Sequence, residues 1–133
     1  MKDLTWNSML SVQVNEIDDD HRKLVDLFNM LNHAIADGEA ANYIEAVLEE
    51  LISCTVWHFR HEERLMLKYQ YTDFAEHKAE HQDLIESARR LQQKLVKEDI
   101  PPSDEDILFL EHWLTEHILT ADMDLGRHLC MVM

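Results

Sequence analysis

Apolar residues recur at three- and four-residue intervals in four separate stretches of the chain, the spacing of one buried helical face. In the first, Leu24, Leu27, Phe28, Leu31 and Ile35 lie between the acidic run Asp18-Asp19-Asp20 and Gly38, which predicts a helix over about 19–37. The second stripe is Ile44, Val47, Leu48, Leu51, Ile52, Thr55, Phe59 and Met66. Asn42 and Glu45 precede it at capping-box spacing, so this helix covers about 42–68. Tyr69-Gln70-Tyr71-Thr72 interrupt the pattern, and Asp73 with Glu76 offers another cap before Phe74, Leu84, Ile85, Ala88, Leu91 and Leu95. That predicts a third helix over about 73–97. Pro101-Pro102 stop it, and Ser103 with Asp106 opens a fourth helix over about 103–123, lined by Ile107, Leu110, Leu114, Ile118 and Ala121 and followed by Gly126.

Four helices of similar length joined by short connections place neighbours antiparallel, so the predicted fold is all-α, an up-down-up-down four-helix bundle. Residues 1–18 carry Trp6, Leu10, Val12, Val14 and Ile17, too apolar for a free tail, and are expected to pack along the bundle as an extended arm. With no internal repeat or linker, 1–133 reads as a single domain. Composition agrees: two Gly and two Pro in 133 residues are too few for the turns of an all-β fold.

Charge narrows the choice of partner. Twelve Lys and Arg against 27 Asp and Glu give a net −15, which repels nucleic acid and anionic lipid and favours a soluble monomer. The N-terminus has no apolar run of signal-peptide type and no stretch is long enough for membrane insertion, so the expected location is cytoplasmic. Cys54 and Cys130 match no metal or redox spacing and read as a core residue and a tail thiol.

What the composition leaves unexplained is nine histidines in so short a chain. His58 and Glu62 are four apart on the second helix, and His77 and His81 are four apart on the third, so each pair shares a face. Both pairs continue the apolar stripes: Leu48, Leu51, Thr55, His58, Glu62, Leu65 on one helix and Phe74, His77, His81, Leu84, Ala88 on the next. On the fourth helix Leu110, Leu114, His117 and Ala121 repeat the pattern, and His21 lies one turn before Leu24 on the first. A single core histidine is ordinarily hydrogen-bonded structure. Five imidazoles and a carboxylate aimed inward from four helices are not explained that way, because burying each without a partner costs on the order of 2–7 kcal/mol. A metal site removes that cost. His33, His61, His112 and His128 fall off this face: His61, one residue before Glu62, points away from the His58 side, and the other three fit surface positions or the tail. Asp122 follows His117 by five residues, about 140° around an ideal helix. A π-type turn or a helix end there would bring it inward; otherwise it is an exposed acid near Asp124, and spacing leaves both readings open.

These residues, in this order, resemble the hemerythrin family, and specifically its single-domain bacterial members. The matching stretches are Ile17-Asp18-Asp19-Asp20-His21, His58-Phe59-Arg60-His61-Glu62-Glu63, His77-Lys78-Ala79-Glu80-His81 and Trp113-Leu114-Thr115-Glu116-His117 running on to Asp122. The resemblance spans nearly the whole chain and fills all seven ligand positions; Asp20 departs from it, standing where many relatives carry Gln. It implies a non-haem di-iron cofactor: two iron ions with an oxo or hydroxo bridge, His77, His81 and His117 on one iron, His21 and His58 on the other, and Glu62 and Asp122 bridging. Five histidines, two bridging carboxylates and the solvent bridge fill all but one position of two six-coordinate irons. The implied vacancy is on the iron of His21 and His58.

That ligand set implies reversible binding of dioxygen, for carriage, storage or delivery, and no enzymatic turnover. Imidazoles outnumber carboxylates, so there is less anionic charge to support high-valent iron than in the carboxylate-rich di-iron bundles. Trp113 and Leu114 lie on the His117 face and are expected to wall the oxygen pocket against water. The alternatives are oxygen or redox sensing, a di-iron protein of the nitric-oxide or iron-repair type, and a plain or zinc-binding bundle. A set of N and O ligands without thiolate does not resemble a closed tetrahedral zinc site.

Overall fold

A computed structural model describes residues 3–133, and every regular element among them is helical. After a 3-10 turn at Ser8–Leu10 come α1 (Asn15–Ala36), α2 (Ala41–Lys68), α3 (Phe74–Glu98) and α4 (Asp104–His117). The last continues through a π-helical turn, Ile118–Asp122, into α5 (Met123–Val132). The short connections fold α1 to α4 back on one another as the predicted four-helix bundle.

The ends of these helices show local chemistry at work. Gly38, at φ 66°, closes α1: its N–H meets Ile35 O at 3.2 Å, and Glu39 N–H meets Ala34 O at 3.0 Å, which satisfies two otherwise orphaned carbonyls. Ser103 opens α4 with the expected box, its Oγ accepting from Asp106 N–H at 3.2 Å while Asp106 Oδ2 accepts from Ser103 N–H at 3.0 Å. The other two boxes do not form. Ala40 and Asp73 stand at the N-caps of α2 and α3, and neither makes a side-chain cap.

Two boundaries differ from expectation by more than a residue or so. α1 begins at Asn15 rather than at 19 because Val14 O already takes Asp18 N–H at 2.9 Å. The Asp18 side chain is thereby free to strap the arm, accepting from Val12 N–H at 2.8 Å and from Ser11 Oγ at 2.6 Å. The arm is therefore shorter than 1–18 and ends at Val14, residues 1 and 2 lying outside the described part. The fourth rod does not stop near 123: Gly126 lies inside α5, and a Cβ there would overlap Val12 O and stand 2.9 Å from Val12 Cβ. Close approach of the arm, rather than helix termination, is what requires glycine at this position.

The core has two apolar halves. One gathers Phe28, Leu48, Ile52, Leu84, Leu91 and Leu110, the other Val12, Ile17, Met66, Ile118, Leu125 and Leu129. On every helix the inward polar residues fall between members of the two: His21 between Ile17 and Phe28, Glu62 between Phe59 and Met66, His81 between Phe74 and Leu84, His117 between Leu110 and Leu125. A layer of imidazole and carboxylate thus crosses the bundle, enclosed above and below. No helix among the described residues is long and apolar enough to cross a membrane.

Candidate metal centre

All seven inward residues meet in that layer, and each is at most 5% exposed. The carboxylates of Glu62, from α2, and Asp122, from the π turn, lie at its middle, each divided between two groups of histidines. Glu62 Oε1 stands 3.1 Å from His77 Nε2 and 3.0 Å from His81 Nε2, while its Oε2 stands 3.0 Å from His58 Nε2 and 3.5 Å from His21 Nε2. Asp122 is split in the same sense. Its Oδ1 is 3.0 Å from His77 Nε2 and 3.1 Å from His117 Nε2, and its Oδ2 is 3.0 Å from His21 Nε2. Two candidate cation sites result, one framed by His77, His81 and His117 and one by His21 and His58, with Glu62 and Asp122 common to both.

These short separations are not hydrogen bonds in the main. His21 Nε2, His58 Nε2, His81 Nε2 and His117 Nε2, with Glu62 Oε2 and both Asp122 oxygens, are buried without an aligned partner among the described residues. So many orphaned donors and acceptors facing one another are costly unless something between them is bound. The spacing fits an ion: ligands held at about 2.1 Å and at right angles stand about 3.0 Å apart, whereas tetrahedral ligands stand about 3.4 Å apart.

Behind the inner layer, three ring nitrogens that face away from it are met by carboxylates. His58 Nδ1 lies 2.9 Å from Asp20 Oδ2, His81 Nδ1 3.1 Å from Glu63 Oε2, and His117 Nδ1 3.0 Å from Glu80 Oε2. Such partners fix which nitrogen carries the proton and aim the other inward. Aromatic rings brace the same histidines: Phe59 stacks on His81 at 3.7 Å with planes 5° apart, and Trp113 on His117 at 4.5 Å and 17°.

The family model for the hemerythrin HHE cation binding domain matches residues 12–129. The chain belongs to the hemerythrin family. A bacteriohemerythrin of Methylococcus capsulatus is 34% identical over 120 residues, 90% of this chain and 91% of the relative. A hemerythrin-like protein of Naegleria gruberi is 33% identical over 118 residues, 89% of this chain and 87% of the relative. Among solved structures, wild-type hemerythrin superposes with a TM-score of 0.88 at 34% identity, covering 95% of this chain and 97% of that one. A leucine-to-alanine mutant of hemerythrin gives 0.90 at 33% identity, with 97% and 98% covered.

In this hemerythrin domain the carboxylates dominate the protein's own electrostatics in the layer. Burial alone would push the His58 imidazole down, but the Glu62 charge, with Asp20, overrides it and raises the ring to about 10. His77 is likewise buried and yet raised to about 10 by Asp122 and Glu62. His21 also moves up, burial being outweighed by Asp122 and Glu62. Glu62 is buried, which opposes its charge, yet the His58 charge and the close approach of His21, His58 and His77 hold it well below the usual carboxylate range. The layer is thus a cluster of opposite charges that a cation enters by displacing protons.

Asp122 is turned inward by the π-helical turn. Trp113 lies against His117, and Leu114 lines a cavity of about 40 Å³ with Leu24, Phe28, Leu48, Leu110 and others. Two of the histidines outside the inward face make specific contacts, and for His128 that differs from the surface or tail position expected. His61 is half-buried, its Nδ1 2.7 Å from Asp20 Oδ2, and His128 reaches Tyr69 O from α5 with its Nε2 at 2.8 Å. His33 and His112 are exposed. Cys54 is half-buried rather than a full core residue, and Cys130 is exposed. Glu63 and Glu80 escaped the sequence reading, because each sits one position from an inward residue and its target lies on a neighbouring helix.

Proposed function

We propose that this chain binds dioxygen reversibly at a di-iron centre. In this reading His77, His81 and His117 would hold one iron and His21 and His58 the other, with Glu62 and Asp122 shared between them and an oxo or hydroxo group completing the pair. The observation that carries it is the division of both carboxylates, one oxygen of each toward each histidine group. When bound, such a pair of irons supplies two electrons to dioxygen and takes them back on release. The chain's own contribution is to hold the rings and to keep the layer dry. Three histidines on one side against two on the other favour the two-histidine side for the incoming ligand, and the apolar cavity beside Leu114 supports a water-poor approach. The preponderance of imidazole over carboxylate favours binding over turnover, and the net −15 charge favours a monomer.

Anaerobic loading with ferrous iron followed by cycles of oxygen exposure and removal, read by optical absorption, tests this. Two irons per chain and a spectrum that appears and disappears over successive cycles are expected. Oxidation that is complete and irreversible at the first exposure, or a single tightly held zinc after iron-replete expression, would overturn it.

A further inference from the structure

The one outer carboxylate described on the two-histidine side is Asp20, and it is gripped by two imidazoles. Asp20 Oδ2 lies 2.9 Å from His58 Nδ1 and 2.7 Å from His61 Nδ1, both rings projecting from α2 while Asp20 projects from α1. His61 is itself braced at its far nitrogen, with Nε2 3.5 Å from Glu16 Oε2, and it lies against the Trp57 ring, centroids 5.6 Å apart. The carboxylate is only 15% exposed. It cannot swing to solvent without losing both donors.

The two sides of the layer are unequally supported. On the three-histidine side Glu63 and Glu80 back His81 and His117. On the two-histidine side the outward nitrogen of His21 has no hydrogen-bond partner among the described residues. Among the described residues, His58 is therefore the ring on that side whose orientation a side chain fixes and whose donor strength an outer anion raises. A neutral amide at position 20 could accept from the same two rings but would bring no charge.

We propose that Asp20, clamped by His61, is the positioning residue of the two-histidine side: it locks His58 with Nε2 inward and strengthens that nitrogen as a metal donor. This rests on His58 being a metal ligand, as in the function proposed above. His61 acts one step further out, by denying Asp20 any other conformation.

The test uses the full chain as wild type, Asp20→Ala, Asp20→Asn and His61→Ala. Metal affinity is measured by chelator competition with ferrous ion and separately with zinc. Histidine-labelled NMR of the zinc-loaded proteins follows the His58 Nδ1–H proton. Asp20→Ala is expected to lose about 10–100-fold in affinity, the usual cost of removing a partner behind a ligating histidine. Asp20→Asn, which keeps the acceptor and removes the charge, falls between, and its His58 Nδ1–H signal moves upfield. His61→Ala retains that signal but lets it exchange faster with water, at a smaller cost in affinity. A metal-free thermal melt separates lost folding from lost binding, and Asp20→Asn carries the test if Asp20→Ala does not fold. If wild type loads iron and the Asp20 variants hold it within about twofold of wild-type affinity, or if the His58 signal does not respond to Asn at 20, the inference fails and the di-iron reading stands. If wild type loads no iron, both fail.

Discussion

Asp122 Oδ1 stands 3.1 Å from His117 Nε2 although the two are five positions apart in one helical rod. In regular α-helix that step turns a side chain about 140° away. The π-helical turn Ile118–Asp122 removes the mismatch, since its wider winding carries residues five apart to a common face, and α5 resumes with Leu125 and Leu129 fully buried. The insertion places one carboxylate within reach of His21, His77 and His117 at once.

Asp122→Asn should therefore act on both halves of the layer. We expect metal content to fall on both sides rather than by one ion, while far-ultraviolet circular dichroism keeps its helical form. In the metal-free chain the three imidazoles lose their common counter-charge, and removing one member of a buried charged cluster costs about 3–5 kcal/mol. Denaturant titration of metal-free protein measures that. A variant that retains a full metal complement would place Asp122 outside the shared pair.

The same charges set a pH dependence of opposite sign with and without metal. In the metal-free chain His58 and His77 titrate at about 10, against an ordinary value of 6.5. Their protonated forms stabilise the fold fully below about 6.5, and that stability is lost as pH rises through about 10. Metal-free protein should thus melt at a lower temperature at pH 9.5 than at pH 6. Metal ligation needs both rings neutral, so loading zinc at pH 8 should release about two protons or more, seen as a dependence of the calorimetric heat on buffer ionisation. The loaded protein should instead lose metal and stability on acidification. Metal uptake without proton release contradicts the raised values.

Much of this was legible in the chain because it is local. A 3.6-residue period places His58 with Glu62 and His77 with His81 on single faces, and the apolar stripes on either side say that those faces turn inward. The Ser103–Asp106 box was legible for the same reason. What the pattern does not carry is how one helix is rotated against the next. Asn42 with Glu45 has the spacing of a cap, yet the chain enters α2 one residue earlier, at Ala41, and the box is never made. The grip of His58 and His61 on Asp20, and the reach of Glu80 to His117, need α1 beside α2 and α3 beside α4 in a register no single segment specifies. Gly126 shows the limit most plainly, since a residue that commonly ends helices is kept inside one by the arm pressed against it.

Gly126→Ala tests that contact. In an exposed helix the change would stabilise by about 1 kcal/mol. Here the new methyl meets the Val12 main chain, which is tied to Asp18 and cannot yield as a flexible side chain would. We expect a net loss of about 1–3 kcal/mol, the range for overpacking. Hydrogen exchange at the Val12 amide, protected by Asp18 in the wild type, should quicken well beyond the average change. An alanine variant as stable as wild type, with Val12 still protected, would show that the arm is free to shift.

Leu114 separates packing from dryness. It lines the apolar cavity of about 40 Å³ and comes three residues before His117 on the same face of α4, so it stands between that space and the polar layer. Truncating it to alanine joins the two and admits water where the layer is otherwise enclosed. Water there is expected to assist proton delivery and loss of reduced oxygen, so Leu114→Ala should autoxidise in air several-fold faster, with iron content unchanged because no ligand is touched. Leu91→Ala is the control, since Leu91 is buried in the apolar half of the core that supplies most of the cavity wall, whereas Leu114 packs against the other half, and Leu91 does not border the cavity. It should cost about 2–5 kcal/mol in stability with no comparable acceleration. Autoxidation at the wild-type rate in Leu114→Ala, or equal acceleration in both variants, would remove Leu114 as the wall and leave general loosening of the bundle as the cause.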